Sequence, residues 1–145
     1  MLIQIKWWIT LKKLSLSELN FEERFTYVKN IPFNEKDLNC KGSKFQIVKF
    51  KPHTSIKPHY HKKTKEIFYI LKGNGTIILN KIKFQCMPDD FFLCEPNDVH
   101  EFVNNSEEEF VILIFKTNEE EGDMLWNWFL KHNLLAQTKR TQQNI

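Results

Sequence analysis

The sequence predicts an all-β domain, a sandwich or barrel of short strands set between an N-terminal extension and a C-terminal α-helix. Two observations predict it. Between residues 44 and 117 the chain is a succession of short runs rich in β-branched and aromatic residues, each closed by turn residues. Beyond Asn118, apolar residues recur instead at helical spacing.

Residues 3–11 alternate, with Ile3, Ile5, Trp7, Ile9 and Leu11 on one face and Gln4, Lys6, Trp8 and Thr10 on the other. They predict a half-buried strand at a sheet edge, in this chain or in a partner subunit. Ser15 and Glu18 have capping-box spacing and predict a short helix to about Arg24. Residues 30–43, with Pro32, Gly42 and several Asn and Lys, read as a connector. Residues 45–50 form the first strand of the barrel, ended by Pro52. A strand through His59 and His61 follows, then a long one over 66–79 that Gly73 and Gly75 bend or bulge. Asn80-Lys81 predicts a tight hairpin turn, and strands at 82–85, 91–94, 99–103 and 110–116 complete the set. The acidic run 119–121 suits a helix start, with Gly122 and Asp123 as the alternative start, after which Leu125, Trp128, Phe129, His132 and Leu135 share one helical face. The chain thus divides into an extension (1–43), a barrel (44–117), and a helix with a polar tail (118–145).

Composition narrows the classes of function. A chain of 145 residues with thirteen phenylalanines is one domain with a sizeable core. Its net charge of +3 comes from scattered lysine rather than clustered arginine, which argues against a nucleic-acid partner. Cys40, Cys86 and Cys94 are odd in number and lack CxxC spacing, so neither a disulfide scaffold nor a zinc ribbon is expected. No apolar run reaches membrane-spanning length, and polar residues interrupt the N-terminus, so a cytoplasmic protein without a membrane partner is expected.

Chemistry concentrates in residues 59–73, where His59, His61, Glu66 and Gly73 give the spacing HxH-x4-E-x6-G. Side chains alternate along a strand, so His59 and His61 point one way and Tyr60 the other. The β-branched and aromatic run after Glu66 reads as the next strand. Two neighbouring strands would then aim two neutral nitrogens and one anionic oxygen at a single point, a donor set suited to a divalent metal. His100, in a strand-like segment downstream, could complete it.

This arrangement resembles the cupin family, whose first motif is G-x5-HxH-x3,4-E-x6-G and whose second is G-x5-P-x-G-x2-H-x3-N. The first motif matches from His59 to Gly73, and the second matches at His100 and Asn104. His53, Asp89 and Asn97 stand where the family has glycine, and all are types that tolerate positive φ. Glu95 replaces the second-motif proline, with Pro96 one position later. The resemblance covers roughly residues 44–117 and implies a cupin-type double-stranded β-helix, a jelly-roll barrel. It further implies one divalent transition metal ion, Mn, Fe, Ni or Co rather than Zn, on His59, His61, Glu66 and His100. Strand parity places Phe68, Ile70 and Phe102 on the wall of a substrate cavity, and Glu95 at its mouth. The expected function is that of a small metal-dependent enzyme of dioxygenase, isomerase or lyase type. Its substrate would be a small polar or anionic molecule, and its expected assembly a homodimer. The alternative is a non-enzymatic cupin that binds or senses such a molecule.

Overall fold

Strands with one apolar face must bury that face, and two sheets can do so by covering each other. In the computed structural model, which describes residues 11–126, two antiparallel sheets pack in this way. In chain order the strands are β1 (Glu22–Glu23), β2 (Tyr27–Phe33), β3 (Lys44–Phe50), β4 (Thr54–Ser55), β5 (His59–His61) and β6 (Lys65–Lys72). There follow β7 (Gly75–Leu79), β8 (Ile82–Cys86), β9 (Phe91–Cys94), β10 (His100–Asn104), β11 (Phe110–Thr117) and β12 (Met124–Trp126). A one-turn helix, α1 (Glu35–Leu38), joins β2 to β3. The first sheet has the order β1-β2-β3-β11-β6-β9; the second runs β12-β5-β10-β7-β8, with β4 also on β10. The fold is a jelly roll whose two sheets do not close on each other, so the expected barrel is an open sandwich.

The inward rows explain where the site lies. Phe50, Phe68, Ile70, Ile77, Phe110 and Ile112 are fully buried between the sheets. Each contributes about 1.5–3 kcal/mol by leaving water, and a one-residue slip of any strand would turn its set outward. The same inward rows end in polar residues: Gln46 on β3, Glu66 on β6 and Lys116 on β11. Glu66 and Lys116 are directly opposite partners across the β6–β11 ladder. One end of the sandwich is therefore apolar and the other carries ionisable groups.

Several turn positions take the backbone that their residues were expected to tolerate. His53, Asp89 and Asn97 sit at φ of 56°, 74° and 72°. Asn80 and Lys81 turn the β7–β8 hairpin at φ of 49° and 73°. The stretch 66–79 is two strands in different sheets, and the chain crosses at Gly73, φ 78°. A Cβ on Gly73 would collide with the carbonyl oxygen of Glu109, which accounts for glycine at that motif position.

The flanks depart from expectation. Among the described residues before β2, only Leu16–Glu18 is helical, a single 3-10 turn with the Ser15–Glu18 capping box, and Glu22–Glu23 pairs with β2. Residues 30–43 are not merely a connector, because they hold the end of β2 and all of α1. Pro32 masked that strand: it lies where the β2–β3 register shifts between Asn30 and Phe33, a bulge that tolerates its missing N–H. α1 is too short to show periodicity and is held by its cap, Asn34 Oδ1 accepting from the backbone of Lys36 and Asp37. The helix expected from residue 118 does not begin there. Residues 119–123 form a loop, and β12 pairs with β5. The cause is Asp123, whose carboxylate accepts from the backbone N–H of Lys63 and Thr64 and from Thr64 Oγ1, tying the chain to the end of β5. The strand expected before Leu11 and the remainder of the helix, with Trp128, Phe129, His132 and Leu135, lie outside the described residues. No helix among the described residues is long and apolar enough to cross a membrane.

Candidate metal centre

β5 is a three-residue strand, and its alternation buries His59 and His61 on one side while Tyr60 faces the other. β10 runs antiparallel to β5 with His100 opposite His59, and β6 supplies Glu66 from the facing sheet. Each of the three histidines offers a ring nitrogen within 4.8 Å of the other two. Glu66 Oε2 is 3.0 Å from His100 Nε2 and 3.5 Å from His61 Nε2. The structure thus brings His59, His61, Glu66 and His100 together, none more than 6% exposed.

Backbone carbonyls orient two of the rings. His59 Nδ1–H donates to the Lys57 carbonyl at 2.9 Å, and His100 Nδ1–H to that of Asp98 at 3.1 Å. Cys94 Sγ lies 3.2 Å from the same His100 nitrogen. These bonds select tautomers whose Nε2 lone pairs face the centre. Both nitrogens of His61 and Oε2 of Glu66 lack a hydrogen-bond partner among the described residues. A buried polar atom left so costs about 1–3 kcal/mol. At His100 Nε2 and Glu66 Oε2 two acceptors face each other, an arrangement that a proton or metal ion between them makes favourable. Neutral imidazoles and one carboxylate are the donors a divalent transition metal takes, so the residues present fit such an ion.

A family model described as a cupin domain matches residues 46–116, the span that carries both motifs and all four of these groups. The chain belongs to the cupin superfamily. Its fold is shared by a predicted oxalate decarboxylase from Thermotoga maritima, with a TM-score of 0.68 at 20% identity over 73% of this chain and 98% of that one. The polyketide cyclase RemF from Streptomyces resistomycificus gives a TM-score of 0.64 at 14% identity, over 78% and 89% of the two chains. A sugar phosphate isomerase of the cupin superfamily from Silicibacter pomeroyi gives 0.61 at 15%, over 74% and 76%. No curated protein sequence matches the chain.

Electrostatics keep this cupin's candidate ligands ready for a cation. Burial, followed by the nearby His100, pulls the His59 imidazole down to about 3. Burial also lowers His61, although Glu66 opposes the shift. For Glu66, burial alone would favour the neutral acid. The Lys116 ammonium at 2.7 Å outweighs it and holds the carboxyl well below its usual range. Both directions have the same consequence on acidification. The unfolded chain takes up protons on its histidines below about 6.5, where folded His59 does not until about 3. Stability is therefore full above 6.5 and falls as pH drops through that window. Glu66, depressed in the fold, adds a loss of the same sign at the acidic end. Urea unfolding of chelator-treated protein should show this decline between pH 6.5 and 3; a flat profile there would contradict it.

The remaining expected residues divide. Phe68 and Phe102 line the cavity beside the histidines, a space of about 70 Å³. Ile70 is fully buried but belongs to the packed core rather than the cavity wall. Glu95 is not among the residues that line the cavity; its carboxylate is half exposed and pairs with Lys65 at 3.1 Å. The shifted proline leaves His100 well aimed, because the Asn97 N–H donates to the His61 carbonyl at 2.7 Å and fixes the loop to β5. Three residues escaped sequence reasoning. Lys116 and Gln46 line the same cavity, and Asp123 Oδ2 lies 3.7 Å from His61 Nδ1. Lys116 was findable, since Phe110, Ile112, Ile114 and Lys116 share one parity on β11 and a lysine ending an inward row is anomalous. Asp123 carried no such signal, because a loop of unknown path sets its place.

Proposed function

We propose that this cupin holds one divalent transition metal ion through His59, His61, Glu66 and His100 and acts as a small metal-dependent enzyme on a small polar or anionic molecule. One observation carries the reading: three buried imidazoles offer nitrogens within 4.8 Å of one another, two of them lie beside Glu66 Oε2, and neither that oxygen nor His61 finds a hydrogen-bond partner among the described residues. Four such donors leave two positions of an octahedron for a ligand, which favours Mn, Fe, Ni or Co over tetrahedral Zn. A bound ion would supply Lewis-acid polarisation of an oxygen ligand or, with a redox metal, a meeting point for substrate and dioxygen. The chain's own part is to orient and to exclude water. The Lys57 and Asp98 carbonyls hold two rings, and Phe68 and Phe102 wall off the cavity.

The structures that share the fold include a decarboxylase, a cyclase and an isomerase by name, so fold likeness does not choose the reaction. A second reading, a non-enzymatic cupin that binds or senses the same molecule, is favoured by the state of Lys116. That amine on the cavity wall is committed to Glu66 rather than free to move a proton. Reconstitution with Co(II) tests the metal reading. The expected visible spectrum is the weak one of six-coordinate cobalt, altered in His100→Ala. Intense tetrahedral bands, or a spectrum indifferent to His100, would refute the open four-ligand site.

A further inference from the structure

Lys116 is the least ordinary residue of the cavity. It is 8% exposed, yet it carries an ammonium into a space walled by Val48, Phe68, Phe102 and Ile114. A buried charge needs a partner, and its Nζ finds Glu66 Oε1 at 2.7 Å. Glu119 Oε1 is a second acceptor at 3.7 Å, but that carboxylate also pairs with Lys44 near the surface. An ammonium has three donors, so a further acceptor can be taken.

The division of labour at Glu66 decides what that acceptor is. Oε1 is engaged by Lys116, whereas Oε2 faces the imidazoles. With a divalent ion in place, a single carboxylate would be shared by two cations. Two charges from the metal and one from lysine, less one each from Glu66 and from the buried Asp123 beside His61, leave about +1 in a small, largely apolar space. Such an excess calls for an anion. The Gln46 amide lines the same cavity and adds a neutral donor, on the strand next to β11. The lysines outside the cavity do not serve here: Lys63 and Lys65 are paired with Glu120 and Glu95 on the surface.

We infer that Lys116, with Gln46 beside it, forms an anion subsite next to the metal centre, and that the ligand it receives is the carboxylate of a small organic acid. The size of the space sets the class. A space of about 70 Å³ admits only a few water-sized groups, enough for a carboxylate bearing one small substituent. This rests on the metal reading above and deepens it by naming the ligand's chemistry.

Acetate and acetamide are the probes, since they match in shape and differ in charge. Binding of each to the Co(II)-loaded protein is followed by the cobalt spectrum, with bound cobalt measured in every sample. The native protein should prefer acetate. Lys116→Met should weaken acetate by about tenfold or more, the scale of a lost charge-assisted hydrogen bond, and leave acetamide unchanged. Lys116→Arg should restore most of the acetate affinity, and Gln46→Leu, which leaves the Lys116–Glu66 pair intact, should lower it by a smaller factor. Equal binding of the two probes by native protein, or undiminished acetate binding by Lys116→Met at full cobalt content, would overturn the subsite. Absence of bound cobalt in the native protein would register separately, as failure of the metal reading on which the subsite stands.

Discussion

Replacing Asn104 by alanine is expected to lower the unfolding free energy by more than about 4 kcal/mol, in the range that marks a broken buried network. Asn104 is fully buried at the end of β10. Its Nδ2 donates to the carbonyls of Phe50, Lys51 and Glu108 at 3.2, 3.0 and 2.7 Å. Its Oδ1 accepts from the backbone N–H and the hydroxyl of Ser106 at 3.0 and 2.7 Å. One side chain thereby ties the end of β3 to the turn between β10 and β11. Alanine removes the donor and acceptor together and leaves buried carbonyls unmatched, each at about 1–3 kcal/mol. The exposed neighbour Asn105 has no such role, and Asn105→Ala should stay within about 0.5 kcal/mol of native. Urea unfolding of the two variants decides the point; a loss below about 1 kcal/mol for Asn104→Ala would contradict it. The asparagine that closes the second cupin motif is thus a structural pin, four residues beyond His100 on the same strand.

How much of this was legible in the sequence depended on local pattern. The strands between residues 44 and 117 alternate strongly, and the structure has them at nearly the expected bounds. HxH on one strand and glutamate at the start of the next made the convergence of His59, His61 and Glu66 readable, because parity and short spacing leave little freedom. His53, Asp89 and Asn97 could be read as glycine substitutes because their chemistry tolerates the left-handed region. What failed were features set by tertiary contact. β2 was hidden by Pro32 in a bulge, α1 by its single turn, and β12 by an acidic run whose Asp123 is captured by Thr64 rather than capping a helix. Glu95 could not be fixed from the sequence for the same reason, since a loop side chain follows its nearest cation, here Lys65.

The changes His59→Ala and His61→Ala, made together, are expected to weaken metal binding by far more than a hundredfold while the jelly roll still folds. Loss of a residue that merely orients a ligand costs about 10–100-fold in affinity, and here two of four donors go. The fold should survive because β5 is held elsewhere. β12 pairs along it, Asn97 bonds to the His61 carbonyl, and Asp123 binds the backbone just beyond it. None of these contacts uses an imidazole. The phenylalanines and isoleucines at the opposite end of the sandwich are also untouched. Circular dichroism and a cooperative thermal transition would register the intact fold. The most direct measurement is metal content by elemental mass spectrometry on native protein and on this double variant, after identical reconstitution and desalting. Close to one Mn, Fe, Ni or Co per chain is expected in the native protein and none in the folded variant. Equal metal in the two, or none in either, would contradict a metal centre at His59, His61, Glu66 and His100.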